Sequence, residues 1–372
     1  KAPTTTTTTK APTTTTTTKA PTTTTTTTTT VASPSCVTAT PANLIWTSTG
    51  NQILLNGERF NMKGVSWFGF DGDTYILHGL ASWAGASCCG SSGRSYTSIL
   101  DWLASNGFNA IRLPFSGWLV DNDPSIDEWQ VDATGNDALK GKSALEAMDI
   151  IIEAAGARGI LIMLDYHSKG VDNYKEGLED MDDSKDTFTS MINSWKTMAR
   201  RYKGVWNVYM ADLINEAHDV GNPGSGKTYV WSDYITLCEA LAKQMNEIGV
   251  NWLYGIQGTN DDCSYNGGDY SQCFWGENLK AVKERAFEGP RTNSIVYLPH
   301  VYGPSVFAGN AYNAKAWSEH FAYLCDGSYG TNGAACILGE FGSKYETTEQ
   351  QTWLNTIIEY LISIDQRSTY FW

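Results

Sequence analysis

Two glutamates stand where an apolar run breaks off. In VYMADLINEAH (208–218) the run ends at Asn215 and Glu216, and in CILGEFG the run Cys336-Ile337-Leu338 passes into Gly339 and Glu340. A buried strand gains by staying apolar to its end, so a carboxylate at its tip needs a chemical reason. Two carboxyls brought together from different strands suit cleavage of a glycosidic bond: one, protonated, supplies a proton to the leaving oxygen while the other attacks the anomeric carbon. A covalent glycosyl intermediate of that kind needs the carboxyl groups only ~5 to 5.5 Å apart. Other polar or aromatic residues stand at comparable places: Arg112, His167, His300, Tyr302 and Trp372.

Eight short apolar runs can supply such tips, at 63–70, 109–113, 160–165, 208–214, 252–256, 295–298, 336–338 and 369–372. Between them lie segments of helical period at 95–106, 143–159, 184–202, 231–248, 314–324 and 348–364. Gly107, Gly159 and Gly249 supply stops, and Ser143 with Glu146 forms a capping-box pattern. Alternation of this kind indicates βα units and a parallel sheet. Chemistry in a (β/α)8 TIM barrel collects at the C-terminal ends of several strands, and that is where these odd polar residues fall, so the barrel is expected over a doubly wound sheet. Upstream, ILLNGERF (53–60) reads as a β-hairpin turning on Asn56-Gly57, placed to plug the bottom of the barrel.

Residues 1–34 have a different character. Three Lys-Ala-Pro units separate threonine runs, a composition that favours extended backbone and resembles O-glycosylated spacers of secreted proteins. Such a spacer is expected to join the catalytic barrel, 35–372, to a further module, for which an upstream carbohydrate-binding module is the natural candidate. Asp and Glu outnumber Lys and Arg 40 to 26, a formal charge of −14 that argues against nucleic acid and favours a neutral substrate. No run reaches membrane-spanning length. The 8 Cys lack zinc-type clustering and, beside the spacer, point to an oxidising extracellular compartment. Cys263 with Cys273 and Cys325 with Cys336 would each close a short loop; Cys88 and Cys89 leave the connectivity open, and Cys238 fits a buried free thiol. N-x-[ST] is absent, so N-linked sugar is not expected.

Taken in order, AIRLPFS, DYH, LINEAH, PHVYG and LGEFG resemble glycoside hydrolase family 5 of clan A, and KGVSWFGFD with TYILHGL favours its cellulase (endo-β-1,4-glucanase) branch. The likeness runs from about Ile53 to the end of the chain. It implies a retaining enzyme with Glu216 as acid/base and Glu340 as nucleophile. Asn215 would bond the 2-hydroxyl of the cleaved sugar, and Arg112 and Tyr302 would hold the nucleophile's carboxylate. His167 and His300 would bind hydroxyls or orient the acids, and Trp372 would underlie the reactive sugar. Trp67, Trp275 and Phe307 are further rim candidates, since flat rings stack on pyranose faces, although core packing is an equally common fate. No cofactor and no metal are expected, and the protein is expected to be a monomer acting on cellulose. Two departures stand out: Ala217 follows the acid/base where the family usually has Pro, and the absence of a helix after the last strand suggests a C-terminally truncated chain.

Other readings compete. An endo-β-mannanase or mixed-linkage β-glucanase would share the fold and both acids, the difference lying in loops and aromatic placement. A non-catalytic carbohydrate-binding barrel should lack one carboxylate, and both are present. GNPGSGKT at 221–228 matches the phosphate-loop pattern, but Glu216 to Val220 intervene between it and the preceding strand and the following helix does not begin in it, so a nucleotide site is not expected.

Overall fold

The computed structural model describes residues 44–84, 93–170, 185–217, 230–260, 263, 273–307, 314–329 and 334–372. The Thr/Pro-rich segment, Cys88, Cys89 and the 221–228 stretch fall outside them.

The described chain begins with a small antiparallel sheet, β1 (Trp46–Thr49), β2 (Gln52–Leu55) and β3 (Glu58–Arg59). Between β2 and β3 Asn56 and Gly57 both take positive φ, 52° and 87°, the conformation that lets a two-residue turn follow the twist of its strands. β1 is an addition to the expected hairpin.

A parallel sheet follows, made of β4 (Lys63–Ser66), β5 (Ala110–Ser116), β6 (Leu161–Ser168), β7 (Val208–Asp212), β8 (Leu253–Ile256), β9 (Ile295–Tyr297), β10 (His300–Tyr302), β11 (Ala335–Cys336), β12 (Leu338–Gly342) and β13 (Thr369–Phe371). Two of the expected strands are interrupted. Pro299, which has no N–H to give a ladder, separates β9 from β10, and Ile337 separates β11 from β12. Because β9 pairs with β11, β10 with β12, and β13 with β4, the ring closes as eight staves. This is the (β/α)8 barrel.

Helices lie between the staves: α1 (Tyr96–Ser105), α2 (Gly117–Asn122), α3 (Ala144–Gly156), α4 (Lys185–Tyr202), α5 (Trp231–Ile248), α6 (Ala314–Trp317), α7 (Tyr323–Cys325) and α8 (Thr348–Ser363). A π-turn, Ser318–Ala322, joins α6 to α7. The caps have the expected chemistry. Ser143 and Glu146 form a reciprocal box at α3, Thr347 and Gln350 do so at α8, and Gly249 ends α5 at φ 94°. None of the described helices is long and apolar enough to cross a membrane.

Strand alternation divides the core. Ile111, Leu113, Ile162, Leu164, Tyr254 and Ile256 pack with the helices, whereas Ala110, Met163, Met210, Leu253 and Leu298 form a second cluster with Trp46 and Ile53 of the hairpin. The Trp46 ring lies 5.0 Å from that of Tyr209, and Ser48 N–H donates to Asn293 O at 2.7 Å. The hairpin therefore closes the end where the strands begin, leaving the other end for polar groups. Cys263 bonds Cys273, and Cys325 at the end of α7 bonds Cys336 of β11. Cys238 is a buried free thiol.

Candidate active site

The inward parity that brings Ala110, Met163 and Met210 into the barrel brings Arg112, Asp165 and Asp212 in one step higher. Arg112 does not end its strand, as the sequence suggests; β5 continues to Ser116, which leaves the guanidinium wholly buried inside the barrel. Its Nε donates to Asp212 Oδ2 at 2.9 Å, and Nη2 donates to Asn215 Oδ1 at 2.8 Å and lies 3.0 Å from Asp165 Oδ2. Nη1 bonds Glu340 Oε1. Burial works against the arginine cation, but Asp165, Glu340 and Asp212 together hold its proton more firmly than usual. The reverse holds for Asp212, where burial pushes the carboxyl up to about 7 against the pull of Arg112. One guanidinium thus compensates several acids, which puts a premium on geometry.

Asp165 also meets His167, Nδ1 to Oδ2 at 2.7 Å. Burial disfavours an imidazolium there, yet the facing Asp165 charge prevails and raises His167 from 6.5 to about 9. With the folded value above the unfolded one, this proton stabilises the fold fully below about pH 6.5, by on the order of 3 kcal/mol. That contribution is lost as pH rises through about 9. Melting temperature should therefore decline between these limits, and the decline should be shallower in His167→Gln; equal slopes would refute the pairing. Asp212 titrates below this range for the most part.

Past β7, the Asn215 N–H donates to Tyr166 O at 3.0 Å and the chain turns at Glu216, which has a left-handed φ of 44°. The Glu216 N–H donates to Gln257 Oε1 at 2.6 Å. Its carboxyl Oε1 lies 2.8 Å from His300 Nδ1. Burial, with Arg112 and His167 nearby, pushes His300 well below its ordinary value, so the imidazole is neutral. A neutral ring can donate to a Glu216 carboxylate or accept from the carboxylic acid, and so suits both protonation states.

His300 and Tyr302 are carried by β10, whose register sets His300 beside Glu340 of β12. The Tyr302 hydroxyl donates to Glu340 Oε2, and His300 Nδ1 is 3.5 Å from the same oxygen. Burial raises the Glu340 carboxyl above its usual range, opposed by Arg112, His167 and the Tyr302 hydroxyl. Glu216, His300 and Glu340 each bring a donor atom within 4.8 Å of the others. Such a set could hold a cation, but Arg112 and Tyr302 already bond Glu340 and His300 already meets Glu216. The Asn215 amide nitrogen is buried without a hydrogen-bond partner among the described residues.

Aromatic rings occupy the rim. Trp372, 38% exposed, lies parallel to His167 at 5.4 Å between centroids and stacks with exposed Phe68 at 6.0 Å. Trp67 is not a rim residue: it is buried in the core with Nε1 donating to His78 O at 2.9 Å. Phe68, not singled out from sequence, holds the exposed position because β4 has already ended at Ser66. Beyond β8, Trp275 is exposed beside Phe274, which sits edge-on to Tyr302 at 4.7 Å and to Phe307 at 5.8 Å. Asp165, Asp212 and Gln257 were also missed. The strand parity that pairs Asp165 with Met163 and Asp212 with Met210 was the available signal for two of them.

Comparison with known proteins shows the family. A family model described as cellulase (glycosyl hydrolase family 5) matches residues 56–368. An endoglucanase of Paenibacillus polymyxa is 30% identical over 346 residues, covering 91% of this chain and 82% of the relative. The major extracellular endoglucanase of Xanthomonas campestris pv. campestris is 29% identical, covering 92% and 67%. Among solved structures, the hyperthermophilic endocellulase of the archaeon Pyrococcus horikoshii superposes with a TM-score of 0.75 at 31% identity, covering 90% of this chain and 91% of that one. A closed barrel that brings Glu216, in the turn past β7, close to Glu340, within β12, and that is matched by that family model over most of its length, places this chain in glycosyl hydrolase family 5, the cellulases.

Proposed function

We propose that the protein is a secreted, retaining endo-β-1,4-glucanase in which Glu340 is the nucleophile and Glu216 the acid/base. The observation that carries this reading is the approach of a Glu216 and a Glu340 oxygen to within 4.8 Å. Carboxyls that approach so closely suit direct attack by one of them, the arrangement a retaining enzyme needs. Endo-action on β-1,4-glucan is supported by the relatives, both named endoglucanases, and by the P. horikoshii endocellulase, solved with cellotetraose.

In the first step Glu340 attacks the anomeric carbon as the C–O bond to the leaving sugar breaks and Glu216 transfers its proton to that oxygen. A glycosyl ester on Glu340 results. Once esterified, Glu340 carries no charge, so the neighbouring Glu216 ionises more readily and can act as base. It then takes a proton from water as that water displaces Glu340, which restores both groups and retains configuration. Arg112 and Tyr302 stabilise the departing Glu340 carboxylate. The unpaired Asn215 amide donates to the 2-hydroxyl, a contact that strengthens as charge develops at the anomeric carbon. Trp372, backed by the His167 imidazolium, offers the sugar a flat face.

In this reading residues 1–34 are an O-glycosylated spacer to a carbohydrate-binding module, which raises enzyme concentration at an insoluble surface without new contacts at the site. The protein acts as a monomer and needs no cofactor.

Glu216→Gln tests the assignment. The variant should lose kcat/KM on cellotetraose by about 10²- to 10⁴-fold, the usual worth of a general acid. On 2,4-dinitrophenyl β-cellobioside, whose leaving group needs no proton, it should stay near the wild type. Equal loss on both substrates would refute the role of Glu216.

A further inference from the structure

Gln257, the residue after β8, is completely buried and bonds both the Glu216 backbone and Asp212. Its amide oxygen accepts the Glu216 N–H at 2.6 Å. Its amide nitrogen donates to both oxygens of Asp212, at 2.9 and 2.8 Å, and lies 3.4 Å from Asn215 Oδ1. The partners dictate the amide's orientation, since an N–H needs an acceptor and a carboxylate needs a donor. Asp212 in turn meets Arg112, which bonds Glu340.

Glu216 has an unfavourable backbone conformation, its φ of 44° lying where a side chain crowds the following carbonyl. Strain of this kind persists only where the surroundings over-determine it. Asn215 is anchored to Tyr166 O, but at Glu216 itself the amide bond to Gln257 sets the peptide plane and hence the direction of Cα–Cβ. Room for the amide is built in. Gly276 has φ 79°, and a Cβ there would lie 3.2 Å from Gln257 Oε1 and 3.1 Å from the His300 ring.

From this geometry we infer that Gln257 is a positioning residue: it locks the left-handed turn at Glu216 and references the acid/base to the Arg112 network that holds Glu340. It touches no substrate. The inference rests on the assignment of Glu216 as acid/base, and it predicts that losing the amide impairs proton delivery selectively, with nucleophilic attack spared.

The test compares wild type, Gln257→Leu, Gln257→Glu and Glu216→Gln on cellotetraose and on 2,4-dinitrophenyl β-cellobioside. By kcat/KM, which reports steps up to the first bond cleavage, Gln257→Leu should lose about 30- to 100-fold on cellotetraose, as expected for an acid displaced by about 1 Å. On the activated substrate it should stay within about 3-fold, because that step needs no proton. Gln257→Glu keeps an acceptor for the Glu216 N–H, but when ionised it opposes Asp212; when protonated it donates as the amide does. Its activity relative to wild type should therefore rise at least about 10-fold between pH 7.5 and pH 5. Equal losses on the two substrates, or no loss, overturn the inference, as does a pH-independent ratio for Gln257→Glu. That ratio decides the matter if Gln257→Leu fails to fold. Should Glu216→Gln itself lack leaving-group dependence, the acid/base assignment fails as well; should it show the dependence alone, only the role of Gln257 falls.

Discussion

Glu340→Gln should lower kcat on carboxymethyl-cellulose by on the order of 10⁴- to 10⁶-fold, the scale on which removal of a covalent nucleophile is felt. The substitution preserves shape and the Tyr302 contact, as the amide oxygen can still accept from that hydroxyl. What disappears is the negative charge opposite Arg112 and any competence to form an ester. The amide has one oxygen for the two donors that now meet the carboxylate, but Arg112 keeps Asp165 and Asp212 as charge partners, so the protein should remain folded. Loss of turnover in a fully folded protein is the expected signature. Retention of more than about a hundredth of the wild-type rate would contradict the assignment.

Arg112→Leu should damage both function and fold. Asp165, Asp212 and Glu340 all meet this guanidinium inside the barrel. Removing one partner of a buried charge network costs about 3 to 5 kcal/mol, because the remaining charges have no compensation. Thermal or denaturant unfolding should show a loss of that size near neutral pH and a smaller one in acid, where the orphaned carboxyls take up protons in the native state. Arg112→Lys should recover only part of it, since an ammonium group cannot address in one plane the several oxygens a guanidinium reaches. A loss under about 1 kcal/mol, or one indifferent to pH, would show that the network is not held by this cation.

Much of the architecture is legible in residue order. The helix over Trp231–Ile248 lies where its apolar period and Gly249 put it, and α3 begins at the box formed by Ser143 and Glu146. Those signals are local, so they survive without tertiary context. β1 escaped notice because WTST carries one large apolar residue, and its place depends on Trp46 reaching Tyr209 inside the barrel. The positions of the two acids follow from where apolar runs end. Their partners are less legible: Asp165 and Asp212 look like ordinary strand-end acids until strand parity turns them toward Arg112. Gln257 gives no sequence signal, because its role comes from a backbone N–H contributed by the turn after another strand. Trp67 and Phe68 show the limit of periodicity, for once β4 ends at Ser66 the alternation that would tell inside from outside no longer applies.

The central claim is that Glu340 forms a covalent bond to the sugar while Glu216, within 4.8 Å, manages the proton. Its most direct test is to inactivate the protein with 2,4-dinitrophenyl 2-deoxy-2-fluoro-β-cellobioside, whose fluorine slows breakdown of the ester, and to map the modified peptide by mass spectrometry. The account predicts one fluorocellobiosyl group per chain, attached at Glu340. A label on Glu216, or complete turnover of the reagent without any covalent adduct, would contradict it.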